Sequence, residues 1–181
     1  RYKITTTLQF MNSHFERLPK TFCKKFPNVK KLYIAGVGLT MLTRKELKLF
    51  KNLEELHVNY NKLTRFRGDL FDFTPNIRKL YFMHNKISEI NVEGLGNLKH
   101  LQVLDLRHND CIDKKFEFSC KNEIKKFSKR NFKHCQDVVV LSRKRRTLLP
   151  LLWLASYLDD KDEEKKKDEW YTNTITVNMQ P

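Results

Sequence analysis

Glycine and proline are scarce, at five residues each in 181, which excludes collagen-like and linker-dominated architectures. No apolar run reaches 18 residues, so no segment is long enough to span a bilayer as a helix. Acidic side chains are few: 21 Asp and Glu face 36 Lys and Arg, for a net charge of +15. That balance favours acidic partners or polyanionic surfaces without choosing among them. Catalytic signatures are missing, with no GxSxG, HExxH, P-loop or GxGxxG. The carboxylate clusters that exist, Glu54/Glu55 and the run 159–168, read as a charged surface and a solvated tail, so no enzyme and no cofactor are expected. The chain opens on Arg1 rather than Met, the expectation being a processed form whose secretory signal has been removed.

What is present is a globular composition with an uneven charge. Apolar residues make up 40%, thirteen of the residues are Phe, and the mean hydropathy is −0.62. Residues 1–120 carry 22 basic and 12 acidic side chains, residues 121–146 carry 10 and 2, and residues 147–181 carry 4 and 7. These shifts divide the chain at about 120 and 146.

Self-similarity is the strongest signal. From Leu53, the segment LEELHVNYNKL places Leu53, Leu56, Val58, Asn61 and Leu63 at offsets 1, 4, 6, 9 and 11. Twenty-four residues on, the same offsets hold Ile77, Leu80, Phe82, Asn85 and Ile87, and then Leu101, Leu104, Leu106, Asn109 and Cys111. Upstream they hold Val29, Leu32, Ile34, Val37 and Leu39, and before those Thr5, Leu8, Phe10, Ser13 and Phe15. The pattern resembles the leucine-rich repeat, LxxLxLxxNxL, over residues 1–118. The expected fold class is therefore α/β, a curved solenoid of about five 24-residue repeats with short parallel strands on its concave face.

Elementary geometry accounts for the spacing. Offsets 4 and 6 alternate with 5 and 7, so each coil supplies a short strand with two inward side chains. The amide at offset 9 can satisfy backbone groups of neighbouring coils, predicting a ladder of Asn61, Asn85 and Asn109. Ser13 and Val37 interrupt it. Offsets 14, 19 and 22 are apolar and line the convex side, where TRKELKLF forms a helical turn or two. Thr74 breaks the offset-22 column, with Phe73 expected to cover for it.

Outward positions of the strands form columns. One holds Tyr33, His57, Tyr81 and Asp105; another holds Tyr60, His84 and His108; Asn59, Met83 and Arg107 lie between them. Aromatic, Met and Arg side chains on a polar sheet are the anchors that dominate protein interfaces. These ten residues are the candidate ligand-binding face, and the competing reading is a merely solvated sheet. His84 and His108 lack the further Cys or His ligands a metal would need, so no metal is expected.

The C-terminal end needs a cover. Cys111, Cys120 and Cys135 fall in CIDKKFEFSC and KNEIKKFSKRNFKHC, and Cys120, Ile124 and Phe127 share one helical face. This flank is similar to the cysteine-bearing C-terminal cap of extracellular leucine-rich repeat proteins, and NDCID is similar to secreted arthropod members. The resemblance implies a Cys111–Cys135 disulfide, a cap over 119–136 and a partly disordered tail over 137–181. It also implies a secreted recognition module with a protein ligand, in innate immunity or adhesion. Cys120 is left unassigned and Cys23, at a core offset, is expected to be a buried thiol. Two alternatives stay open. One is an intracellular scaffold without disulfides; the other is an anionic glycan or lipid surface bound by Lys121, Lys125, Lys126, Lys129, Arg130 and Lys133. Specific nucleic-acid binding is not expected, since no RNA-fold signature accompanies the basic residues.

Residues 143–146 read Arg-Lys-Arg-Arg. In a secreted chain the run resembles a furin-type processing site with cleavage after Arg146; in an intracellular one it reads as a nuclear-localisation or nucleic-acid patch; otherwise it is a solvated basic linker. Beyond it, TLLPLLWLASYL is only about 18 Å long as a helix and is interrupted by Pro150.

Overall fold

The computed structural model describes residues 5–11, 13–19, 24–120, 123–124, 129–132, 134–137 and 175–176. The chain divides into two compact units, residues 1–138 with 172–181, and residues 139–171. All described residues lie in the first.

Its main sheet is built from one three- or four-residue strand per coil. These are β1 (Thr7–Phe10), β2 (Lys31–Tyr33), β3 (Glu55–His57), β5 (Lys79–Tyr81) and β7 (Val103–Asp105), all parallel. The register is 24 throughout: Leu8, Leu32, Leu56, Leu80 and Leu104 pair in sequence. All five leucines have zero exposure. The leucine at offset 4 is thus the central rung of every coil.

A second sheet runs behind the first. β4 (Arg65–Arg67), β6 (Glu89–Asn91) and β9 (Gln136–Asp137) pair in parallel. Phe66 of β4 projects inward, edge-on to Phe82 at 5.1 Å, and Phe71 approaches both rings. Edge-to-face packing of this kind adds to the area each ring buries.

The turns between strands and back face are short. In the second coil the segment TRKELKLF yields one helical turn, α1 (Arg44–Leu47). Thr43 caps it by accepting from the Lys45 amide, and the Glu46 carboxylate accepts from the Thr43 amide at 2.9 Å and from its hydroxyl. This reciprocal cap supplies partners to two of the orphan donors at a helix start. Later coils use 3₁₀ turns at Gly68–Phe71 and Leu95–Asn97. They pack so closely that a β-carbon on Gly68 would lie 2.2 Å from the Glu93 carbonyl oxygen.

Two expectations for the convex side are corrected. Thr74 is fully buried in the offset-22 column, its hydroxyl donating to the Phe71 carbonyl at 3.3 Å. Phe73, by contrast, is 49% exposed and does not take the place of Thr74 in the core. A small polar residue whose hydroxyl is satisfied locally fits the column, so no aromatic cover is required.

Both ends of the main sheet are closed by antiparallel strands. β8 (Lys115–Glu117) returns on β7, and β10 (Ile175–Thr176) lies against β1. At the C-terminal end Phe116, Ile124 and Phe132 are buried, and Cys111 is disulfide-bonded to Cys135. Cys120 is a free, exposed thiol and does not share the buried side of Ile124. Phe127 and Cys23 lie outside the described residues, as does the run 143–146.

Candidate binding face

Three asparagines hold the strand ends in place. The Asn61 side-chain oxygen accepts from the amides of Val37 and Leu39, and its nitrogen donates to the carbonyls of Ile34, Val58 and Asn59. Asn85 accepts from Leu63 and donates to Val58, Phe82 and Met83. Asn109 accepts from Ile87 and donates to Phe82, Leu106 and Arg107. Each amide therefore pairs backbone groups of two successive coils that would otherwise be buried without partners.

The residue before each ladder position bends the chain. Tyr60, His84 and His108 have φ of 58°, 51° and 56°, and Gly36 at the equivalent place in the coil before has 68°. The left-handed region is costly for a residue with a β-carbon and free for glycine. The three rings nevertheless stack in file: Tyr60 on His84 at 4.5 Å and 9°, His84 on His108 at 4.2 Å and 19°. Tyr60 is 61% exposed.

A second file runs beside the first. His57 lies between Tyr33 and Tyr81, with centroids at 4.2 and 4.3 Å and planes within about 20°. Because the rings face one another along the solenoid, their faces are taken up by one another and their edges border the surface. His57 Nε2 is buried with no hydrogen-bond partner, the nearest carboxylate oxygen being Glu55 Oε2 at 3.6 Å. Burial holds its pKa below the ordinary range; Glu55 pulls it back up, and Lys31 and Lys79 press it further down.

The carboxylates of these rows are paired with neighbouring cations. Glu55 lies 3.5 Å from Lys31 and 3.4 Å from Lys79. Burial would raise the Glu55 pKa, but the two ammonium charges, together with the side-chain interactions with His57 and Lys79, outweigh it and the net direction is down. One column over, Glu54 stands between Lys30 at 3.1 Å and Arg78 at 3.8 Å. Each of the two carboxylates thus stands between two cations, and these rows keep a net positive charge.

The structure brings nine of the ten candidate residues to one exposed or half-exposed face. Asn59 and Met83 sit between the files, where the Asn59 side-chain oxygen accepts from the Met83 amide at 2.9 Å. Asp105 is the exception. It ends the Tyr33–His57–Tyr81 column but is only 1% exposed, both carboxylate oxygens being taken by the Arg107 guanidinium at 2.7 to 3.2 Å. The Asp105 carboxylate is therefore engaged by Arg107 instead of facing solvent, and Arg107 also reaches the Met83 sulfur at 3.7 Å. Sequence reasoning missed the positive φ at offset 8, although Gly36 in that column was the available signal.

Lys121, Lys125, Lys126 and Lys133 lie outside the described residues, and Lys129 and Arg130 fall in the 3₁₀ turn Lys129–Phe132 without described side chains. Among the described residues no helix is long and apolar enough to cross a membrane, and no three His, Cys, Asp or Glu side chains gather as metal ligands.

Comparison with known proteins matches residues 51–111 to the leucine rich repeat family model. The fold is a leucine-rich-repeat solenoid. Among solved structures, InlP of Listeria monocytogenes is similar at 23% identity and a TM-score of 0.46, over 60% of this chain. The chain spans 33% of the length of that structure. No curated protein sequence matches. Leucine-rich repeats are in general protein–protein interaction modules and typically not enzymes, and their stacked coils present an extended concave surface.

Proposed function

We propose that the chain binds a protein ligand on the concave face, through Tyr33, His57, Tyr60, Tyr81, Met83, His84, Arg107 and His108, with Asn59 and Asp105 as positioning groups. The observation that carries this reading is the backbone at Tyr60, His84 and His108. The fold needs a positive φ there and Gly36 meets the need without a side chain, yet three consecutive coils keep a ring in that place at a cost. Rings retained against backbone preference, stacked and turned edge-out, serve contact rather than folding.

The Cys111–Cys135 disulfide favours an extracellular setting for this recognition, consistent with a role in adhesion or innate immunity. Thiol counting on protein recovered without added oxidant tests that setting, since free Cys111 and Cys135 thiols there would remove the extracellular case. Affinity capture with the intact chain, compared with the Tyr60→Ala, Tyr81→Ala double variant, tests the face. A partner retained by the first and lost by the second is the expected result; equal affinity for both would overturn the assignment.

A further inference from the structure

Ten of the eleven described phenylalanines are buried, and Phe73 is the exception at 49% exposure. The repeat explains where it stands. Lys25, Leu49 and Phe73 recur at one offset in successive coils, on the convex side. Phe73, Leu49 and Pro75 line an open recess of about 520 Å³, and its remaining lining residues are Lys48 and Lys51. Leu49 is half-buried and packs against the core. A single exposed apolar side chain is ordinary, whereas contiguous apolar surface rimmed by charge marks a place of interaction.

The charge around this recess is unbalanced. The acidic residues of the second and third convex turns are already engaged. Asp72 pairs with Arg44 at 3.6 Å, Asp69 with Arg67 at 2.7 Å, and the buried Glu46 carboxylate accepts from the Thr43 amide. Lys48 and Lys51, with Lys24 and Lys25 one coil earlier, are exposed and form no ion pair among the described residues. A bilayer is met by side chains that protrude; a recess admits one. Its apolar lining and unpaired cations therefore suit an apolar side chain carried between carboxylates.

We propose that this recess is a second docking site, for an extended acidic segment of a partner protein. The segment inserts an apolar side chain against Phe73, Leu49 and Pro75 and sets its carboxylates against Lys48 and Lys51. Lys24 and Lys25 extend the cationic rim toward the first coil. Burial of Phe73 and Leu49 supplies affinity, while the ammonium groups select the charge of the partner and speed its encounter. No residue of the concave face takes part, so the site stands whatever that face binds.

The test titrates the isotope-labelled intact chain with the peptide Asp-Glu-Leu-Phe-Glu-Asp and follows the amide resonances. Saturable shifts confined to residues 48–51 and 72–74 are expected. Phe73→Ser, and separately the Lys48→Glu, Lys51→Glu double variant, are each expected to weaken the affinity by about tenfold or more. So are peptides with Lys in place of the acidic residues or Ser in place of Leu and Phe. The Tyr60→Ala, Tyr81→Ala variant is expected to bind the peptide as the parent does. All three substituted residues at the recess are exposed, and unchanged resonances elsewhere verify that each variant is folded. No saturable shift, shifts centred on the concave strands, or equal binding of the Lys-substituted peptide would each overturn the proposal. Sedimentation with phosphatidylserine vesicles that is lost in Phe73→Ser would overturn it too, the recess then being a lipid contact.

Discussion

His108 stacks on His84 with 4.2 Å between centroids and 19° between planes, and both residues hold the backbone at positive φ. Each ring is therefore kept where its own β-carbon is disfavoured. Replacing His84 by alanine removes two stacks and keeps the strain; replacing it by glycine removes the same stacks and releases it. The glycine variant is expected to be the more stable by about 1 kcal/mol, measured by chemical denaturation. Equal stability, or a better alanine variant, would refute the strained-backbone account.

The asparagine ladder predicts a graded loss. Asn61 and Asn85 are 7% exposed, whereas Asn109 near the last coil is half-buried. Substitution by alanine leaves two backbone amides orphaned at Asn61 and one at Asn85, together with carbonyls from two coils. Asn61→Ala and Asn85→Ala are each expected to cost about 3 kcal/mol, and Asn109→Ala measurably less, because water reaches its partners. A larger effect at Asn109 than at Asn61 would contradict the burial argument.

Much of this was legible in the sequence because a 24-residue spacing is itself a statement about register. Once Leu32, Leu56, Leu80 and Leu104 are seen as equivalent, the inward positions, the ladder and the two ring columns follow. What escaped was set by contacts outside the period. β9 and β10 are two-residue strands whose pairing depends on backbone groups and leaves little trace in side-chain pattern. Asp105 occupies an outward offset yet is buried, because Arg107 two residues on folds back across it. Thr74 reads as a gap in an apolar column and is instead a satisfied core residue.

Acidification should weaken the fold in two steps. Burial, partly opposed by Glu55 and reinforced by Lys31 and Lys79, places the His57 pKa below its ordinary 6.5 in the folded chain. The unfolded chain then takes up the proton first as pH falls, so this stabilisation is full above 6.5 and is lost below it. Glu55 is held below its ordinary 4.5, and its contribution is likewise present above that value and lost as pH falls through the folded pKa. The sign is the same in both windows. His57→Phe keeps a ring between Tyr33 and Tyr81 without a titrating group. Its denaturation midpoint is expected to fall less than that of the parent between pH 7 and 5. Parallel slopes would mean that His57 does not carry the upper step.

The disulfide should act locally rather than on the whole solenoid. Cys111 and Cys135 stand 24 residues apart, and closing a loop of that size restricts the unfolded chain by about 3 kcal/mol. In stacked coils each unit is stabilised mainly by its neighbours, so loosening one end need not reach the other. Reduction frees Cys135, which immediately precedes β9, and loosens the end where Phe116, Ile124 and Phe132 are buried. Amide exchange is therefore expected to rise first at residues 115–117 and 136–137, with residues 31–57 slow until global unfolding. Cys120, already free and exposed, should be alkylated before reduction, while Cys111 and Cys135 require it. If reduction accelerates exchange equally in every coil, the molecule behaves as one cooperative block and the nearest-neighbour picture fails.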